Sequence, residues 1–261
     1  MDETTIVLPS ARAIRHEQLQ IQSQSTFLPN YVTMNEFVSK LCIVKDYKIV
    51  DEDSRVLLLL EASDFKEFAS LQIERNFFTF TKNSSYIFKF FQELSAETYD
   101  IESLDSADTY AEYEEHIAIL KELYKRYEKL CESRKVLDRI FLPKLYAFNE
   151  AYAKTHKEVL VRVDGHVTNF EFELLNKCSG FSHVFLLFSS SAFNEKMRSK
   201  FGSFGIELLQ GFEYKISLTD KSVVSKTKLV QNKNITCESF SETLLQVAFI
   251  KKSVYDFISR G

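Results

Sequence analysis

The sequence contains no tryptophan and little glycine: only six of its 261 residues are glycine. A phosphate-binding loop needs glycines where backbone amides approach the phosphates, followed by Lys and then Ser or Thr. The first glycine of the chain is Gly165, and none of the six precedes a Lys-Ser or Lys-Thr pair. The sequence therefore lacks the loop with which a nucleotide hydrolase holds ATP.

Metal clusters and long apolar runs are missing as well. The four cysteines lie far apart and the five histidines have no metal-ligand spacing, so we expect reduced thiols and no metal site. The longest apolar runs, such as residues 56–60 and 184–188, are far shorter than a membrane span. With no signal peptide in the sequence, we expect a soluble, cytoplasmic protein that has no membrane partner.

Charge is distributed unevenly along the chain. The formal net charge of −4 provides no overall attraction for nucleic acid. Nine acids and no Lys or Arg lie between residues 93 and 115, whereas residues 121–144 contain eight Lys and Arg. This basic run is most simply the solvated face of two helices, with a DNA or partner surface as the alternative. Any contact with nucleic acid would have to come from such local patches.

Apolar periodicity predicts strands and helices in alternation, interrupted by a long helical stretch. Before the interruption we expect strands at residues 5–10 and 31–34, followed by helices capped by Ser10 and Asn35. Helical patterns begin at Asp51, at Ser84 or Ser85, at residue 107 and at residue 137, the last two ending at residues 133 and 153. After the interruption we expect strands at 158–164, 182–189, 206–209, 214–218 and 236–238, and helices at 169–178, 193–201 and 241–259.

These patterns predict an α/β core with an insertion. We assign residues 1–50 and 155–238 to the core, residues 51–154 to an all-helical insertion, and residues 239–261 to the start of a second domain that is truncated. The strands at residues 206–209 and 214–218 are expected to lie at an edge of the sheet.

The most informative motif is the strand that ends at Asp164-Gly165. An apolar strand that ends in an acid is how a nucleotide hydrolase places its magnesium-binding carboxylate at the carboxyl edge of a parallel sheet. The next position, where an active helicase has a glutamate that polarises the attacking water, is Gly165. The motif therefore predicts a nucleotide-hydrolase strand without its catalytic base.

Five blocks, in this order, resemble the N-terminal region of AddB-type subunits of bacterial ATP-dependent helicase-nucleases. The blocks are TIVLPSARAIR at residues 5–15, LPNYVTMNEF at 28–37, SRVLLL at 54–59, VDGHVTNFEFELL at 163–175 and SFSETLLQVAFI at 239–250. The fourth block is similar to that family's degenerate Walker B motif, in which Asp164 and Gly165 stand where an active helicase has Asp-Glu. The fifth resembles the entry to the family's second helicase-like domain.

The resemblance implies a fold and a role. The fold would be a parallel sheet of the P-loop, superfamily 1 helicase type, degenerate and without Walker A, with a large all-helical insertion. The full-length protein would partner an AddA-type helicase-nuclease subunit and act on DNA ends in double-strand-break resection and recombinational repair. Family members carry a PD-(D/E)XK nuclease domain and iron-sulfur cysteines near the C-terminus, and neither can be located here. We therefore expect no catalytic residue and no cofactor in this chain, which would guide single-stranded DNA.

Two loops supply the candidate DNA contacts, because both follow strands at the expected carboxyl edge. Ser10, Arg12 and Arg15 follow the first strand. His166, Thr168 and Asn169 follow the Asp-Gly strand. The alternative for each is structural: a solvated first turn for the arginines, an N-cap for Thr168 or Asn169, and a capping carboxylate for Asp164.

Two other functions stay open. Residues 213–215 form a Glu-x-Lys tripeptide. Together with Asp164, Glu213 and Lys215 would supply the two carboxylates and the lysine that a metal-dependent nuclease uses. The chain could also be an α/β interaction module without a role in DNA binding.

Overall fold

The computed structural model describes residues 4–21, 29–106, 114–229 and 238–259. The chain divides into two units, residues 1–228 and residues 229–261, which are described separately. The strand predicted at residues 236–238 and the first part of the helix predicted at 107–133 fall mostly outside the described residues.

The first unit contains ten strands, β1–β10, and nine α-helices, α1–α9, within its described residues. The elements before the helical region are β1 (Thr4–Leu8), α1 (Ala11–Ile21), β2 (Asn30–Thr33), α2 (Met34–Leu41), β3 (Cys42–Ile43) and β4 (Lys48–Ile49). The helical region consists of α3 (Glu52–Ala62), a 3-10 helix (Lys66–Leu71), α4 (Phe77–Ala96), a 3-10 helix (Ile101–Ser106), α5 (Glu114–Ser133), β5 (Val136–Leu137), a 3-10 helix (Arg139–Phe141), α6 (Leu142–Leu145), β6 (Ala147–Phe148) and α7 (Glu150–Ala153). The remaining elements are β7 (Glu158–Val163), α8 (Asn169–Cys178), β8 (His183–Ser190), α9 (Glu195–Gly202), β9 (Phe212–Ser217) and β10 (Ser222–Lys228).

Six of the strands form one sheet, in the order β10-β9-β8-β7-β1-β2. The four strands from β8 to β2 are parallel, and β9 and β10 are antiparallel to their neighbours. The fold is therefore mixed α/β with a mostly parallel sheet, as the alternating pattern predicts. Two further pairs, β3 with β6 and β4 with β5, have two residues per strand.

The two faces of the sheet are covered unequally. One face buries the valines of β7 (Val159, Val161 and Val163) in an apolar cluster with side chains of α2, α8 and α9. On the opposite face, Phe185 and Leu187 of β8 are only half-buried. Helix α1 contacts β1 and β2, and its Glu17 forms an ion pair with Arg162 of β7. Arg162 alternates with the buried valines, so α1 lies against this second face.

A second apolar cluster lies within the helical region. Helices α3, α4 and α5 pack together with the short elements after α5, around buried aromatic side chains such as Phe80, Phe91 and Tyr127. This cluster shares no buried residue with the cluster on the sheet. The domain bounds given above stay a prediction.

Several predicted elements are wrong, and local capping explains most of the differences. The single helix predicted at residues 137–153 is instead a series of short elements, because Asp138 and Asn149 cap separate turns and Pro143 occupies the start of α6. Helix α4 is capped by Asn76 and begins before Ser84. Helix α2 is capped by Thr33, whose hydroxyl accepts from the Glu36 amide, and not by Asn35.

The far edge of the sheet also differs from the prediction. The strand predicted at residues 214–218 is β9, which lies inside the sheet because β10 pairs with it. Residues 206–209 form no strand: the Ile206 amide donates to the Phe201 carbonyl, and the Leu209 amide donates to the Tyr214 hydroxyl. These bonds use the backbone groups that a strand would need.

The second unit contains helix α10 (Thr243–Ser259) among its described residues. The ring of Phe240 lies 5.2 Å from that of Phe249, centroid to centroid, and many apolar side chains of the helix are exposed. Across the described part of the chain, no helix has both the length and the apolar character needed to cross a membrane.

Candidate functional site

The connections of the sheet change direction between β1 and β7. The chain moves from β1 to β2 on one side, and after the helical region it enters β7 on the other side of β1. A topological switch point lies between two neighbouring strands whose outgoing connections run to opposite sides of the sheet. Ligands of open α/β sheets bind at such a point, outside the carboxyl ends of the strands. Both predicted loops lie at this edge, because β1 and β7 are parallel neighbours.

The start of helix α1, directly after β1, presents two arginines to solvent. The Ser10 hydroxyl accepts from the amide of Ala13 at 3.2 Å, so Ser10 caps α1 as predicted. Arg12 and Arg15 lie in the first turns of α1 and are exposed. Neither guanidinium forms an ion pair or a side-chain hydrogen bond with any residue that the structure describes. The ion pair between Glu17 and Arg162 holds α1 against the sheet. The backbone that carries the two arginines is therefore fixed in position relative to β7.

The loop after β7 begins with an exposed carboxylate. Asp164 and Gly165 are both exposed. Gly165 has a φ of +88°, and a Cβ at this position would meet nothing within 4 Å. The glycine is therefore required by the backbone conformation and not by a close neighbour.

The rest of this loop is occupied by structural contacts. Thr168 caps α8 in a capping box: its hydroxyl accepts from the amide of Glu171, whose carboxylate accepts from the amide of Thr168 at 2.9 Å. The Asn169 amide donates to the carbonyl of Glu97 at 2.9 Å, and His166 Nε2 lies 3.1 Å from the Glu97 carboxylate. Glu97 follows α4, so His166 and Asn169 connect the edge of the sheet to the helical region.

Lys200 of α9 is a further charged group at this loop. Its ammonium donates to the carbonyl of Val167 at 2.5 Å. Burial lowers the pKa of Lys200, against the opposing effect of Glu97 and Glu171. Sequence reasoning missed this residue, because its contact depends on how α9 packs beside the β7 loop.

The loop after β8 lies at the same edge and presents Phe193. The sequence predicts a helix from residue 193, but α9 begins at Glu195 and leaves Phe193 in the loop. Its side chain is 99% exposed. The helix predicted from residue 193 gave no reason to expect an exposed ring, so sequence reasoning missed Phe193 as a surface residue.

The residues of the nuclease alternative are not direct neighbours. Glu213 and Lys215 lie on β9, and β8 separates β9 from β7. Two strand spacings, about 10 Å, therefore lie between the main chains of Asp164 and Glu213. The Lys215 ammonium lies 4.2 Å from the centroid of the Phe185 ring. No group of three or more His, Cys, Asp and Glu side chains that could hold a metal ion occurs among the described residues.

The chain was compared with known proteins. No protein-family model matches it, and no curated protein matches it.

Proposed function

We propose that this chain is the N-terminal, non-catalytic, helicase-like part of an AddB-type subunit, and that it guides single-stranded DNA across the carboxyl edge of its sheet. The observation that carries the proposal is the pair of exposed arginines, Arg12 and Arg15, beside the switch point between β1 and β7. Guanidinium groups donate to phosphate oxygens in a geometry that suits a nucleic acid backbone.

The sequence blocks support the same proposal. Two blocks that resemble the AddB-type family, at residues 5–15 and 163–175, fall on β1, α1, β7 and α8, so they meet at one edge. A parallel sheet of superfamily 1 type would use this edge for nucleotide and DNA. In the proposed role the full-length protein partners an AddA-type helicase-nuclease subunit, in the cytoplasm, during resection of double-strand breaks.

The contacts divide into two roles. Arg12 and Arg15 would bind phosphates, which gives affinity without sequence preference. Asp164, exposed on the neighbouring strand end, repels phosphate and would keep the strand from binding tightly at the centre of the edge. His166, Thr168 and Asn169 would act mainly by holding the loop in place, through the contacts described above. Guiding a moving strand requires weak contacts of this kind.

The test is the salt dependence of binding to a fluorescent oligo(dT), measured by anisotropy. The logarithm of the affinity for single-stranded DNA falls linearly with the logarithm of the salt concentration. Each lost phosphate contact reduces the magnitude of this slope by about 0.7. We expect Arg12→Ala and Arg15→Ala each to weaken binding and to reduce the slope. Lys66→Ala, which removes an exposed charge from the helical region, is the matched control and should leave both unchanged.

Two results would contradict the proposal. If Lys66→Ala weakens binding as much as the arginine variants do, the contact is diffuse charge and not this edge. If the chain cleaves the oligonucleotide with magnesium, and Lys215→Ala abolishes the cleavage, the nuclease alternative replaces the guiding role.

A further inference from the structure

Strand β10 is an open edge of the six-stranded sheet. It pairs with β9 on one side, and no strand among the described residues pairs with it on the other. An edge strand presents a row of unpaired backbone N–H and C=O groups. β10 has seven residues, all of them exposed, whereas β2 at the opposite edge has four. The backbone groups on the open side of β10 are therefore accessible to a further strand.

The side chains of β10 give this edge a particular character. Native proteins protect an edge with a short strand, a proline, a bulge or charged side chains. β10 contains no proline, and its register with β9 shifts between Val223 and Ser225. Val223 and Val224 are exposed apolar side chains, and Lys226 and Lys228 follow them. The edge thus combines free backbone groups and apolar side chains with charge of one sign.

The two lysines form a positive pair on one face of the strand. Lys226 and Lys228 are two residues apart, so their side chains lie on the same face. Neither forms an ion pair with a residue that the structure describes. The Lys226 ammonium lies 4.1 Å from the centroid of the Phe212 ring, which holds it beside the neighbouring strand. The positive charge on this face is therefore available to a ligand.

The nearest acids do not neutralise this pair. Glu213 of β9 lies opposite Thr227 in the register. Thr227 alternates with the two lysines, so Glu213 lies on the other face of the sheet. Asp220, in the turn before β10, accepts from the Ser217 hydroxyl at 2.8 Å. An acidic ligand at the open side of β10 would therefore meet the lysines and not these carboxylates.

The charge of β10 determines which kind of strand fits beside it. Pairing with β10 of a second copy would bring four lysines to one interface, and like charges on paired strands are destabilising. A strand with an acid at every second position would instead place its carboxylates on the face of the lysines. Opposite charges on neighbouring strands stabilise their pairing.

We propose that β10 docks an extended acidic segment of a partner protein, which adds a seventh strand to the sheet. Backbone hydrogen bonds provide the affinity of such a contact, and the alternate side chains provide its specificity. Here the specificity is for Glu or Asp at every second position. Three strands separate β10 from β1, so this inference does not rest on the proposed DNA-guiding function.

The test is the binding of a fluorescein-labelled peptide to the whole chain, measured by anisotropy. The peptide has seven residues in which glutamate and valine alternate, and we expect saturable binding. Two control peptides should not bind. One replaces glutamate with lysine. The other keeps the glutamates but has every backbone amide N-methylated, so it has the charge but cannot donate backbone hydrogen bonds.

Variants of the chain test the role of the lysines. Each lost pair of opposite charges across two strands corresponds to about a threefold loss of affinity. Lys226→Ala combined with Lys228→Ala should therefore weaken peptide binding about tenfold. Lys82→Ala combined with Lys89→Ala, at two exposed lysines of α4, removes the same charge and should leave binding unchanged. All four side chains are exposed, so these substitutions leave the fold intact.

Hydrogen exchange locates the contact. The bound peptide should slow the exchange of the amides in residues 222–228, because those that point away from β9 gain acceptors. Binding without this protection would show that the peptide lies elsewhere.

The other outcomes also decide the matter. If the acidic peptide does not bind, or the N-methylated peptide binds equally well, strand addition is wrong. If the α4 double variant loses as much affinity as the β10 double variant, the contact is diffuse charge. If the β10 amides become protected as the chain alone is concentrated, a second copy occupies the edge and the acidic partner is overturned. Arg12→Ala should not affect peptide binding, so the DNA-guiding proposal and this one can fail separately.

Discussion

Asp138 should be essential for the stability of the helical region. Its carboxylate is buried and accepts from Arg55 Nε at 3.0 Å, from the Tyr127 hydroxyl at 2.6 Å and from the amide of Ile140 at 3.0 Å. The Arg55 guanidinium also lies 4.0 Å from the centroid of the Phe88 ring. Burial alone would lower the pKa of Arg55, but the neighbouring carboxylates, Asp138 foremost, raise it overall. The arginine therefore stays charged.

Asp138→Ala removes the buried acceptor of Arg55, which keeps only its pair with the exposed Glu52 at 3.2 Å, and leaves the Tyr127 hydroxyl and the Ile140 amide without this acceptor. Removing one partner of a buried ion pair costs about 3–5 kcal/mol. With an m-value of about 3 kcal/mol per molar urea, the unfolding midpoint should fall by about 1 M or more. The assay is urea unfolding followed by circular dichroism. Asp64→Ala is the matched control, since Asp64 pairs with Arg75 at the surface and such pairs contribute about 1 kcal/mol at most.

The comparison of the two aspartates decides whether the reasoning holds. If Asp138→Ala shifts the midpoint no more than Asp64→Ala does, the buried network does not stabilise the helical region. Asp138→Asn should fall between them, because it keeps the shape and an acceptor oxygen but loses the charge.

Three further predictions concern other groups. Burial raises the pKa of Cys131 to about 12 and that of Cys178 to about 11, so neither thiol should react with a maleimide without denaturant; labelling found by peptide mapping would contradict this. Burial lowers the pKa of His156 in the folded chain below its ordinary 6.5. As the pH drops through 6.5, the unfolded chain therefore takes up a proton at this residue before the folded chain does, and the melting temperature should fall. In His156→Gln that part of the slope should disappear, and an unchanged slope would refute the assignment. Gly165→Ala should destabilise by about 1 kcal/mol because of its positive φ, whereas Gly202→Ala, at the end of α9, should be neutral or stabilising in the same melting assay.

The parallel strands could be predicted from the sequence because burial imposes a simple pattern on them. The strand that ends before Asp164 alternates buried valines with less buried positions, and Ser10 and Thr168 supply local caps that need no tertiary information. Strand β10 could not be predicted in this way. All seven of its residues are exposed, so no apolar period marks it, and only its pairing with β9 makes it a strand.

Tertiary contacts limited the prediction of the candidate site. The sequence places His166 and Asn169 in the right loop, but their contacts with Glu97 join residues about seventy positions apart and depend on how α4 packs. The apolar residues between 193 and 201 have helical spacing, but the helix starts only at Glu195. The Asn194 side chain accepts and donates hydrogen bonds within the preceding loop, and this keeps Phe193 out of the helix. Such local competition by an asparagine side chain is visible only once the backbone is known.

The central claim is that single-stranded DNA crosses the carboxyl edge of the sheet. Ultraviolet cross-linking of the chain to oligo(dT), followed by mapping of the cross-linked peptides, tests this claim most directly. The account predicts cross-links at the start of α1, near Arg12, and in the loop after β7. Cross-links confined to the basic run at residues 121–144, or to the opposite edge of the sheet near Lys157, would contradict it.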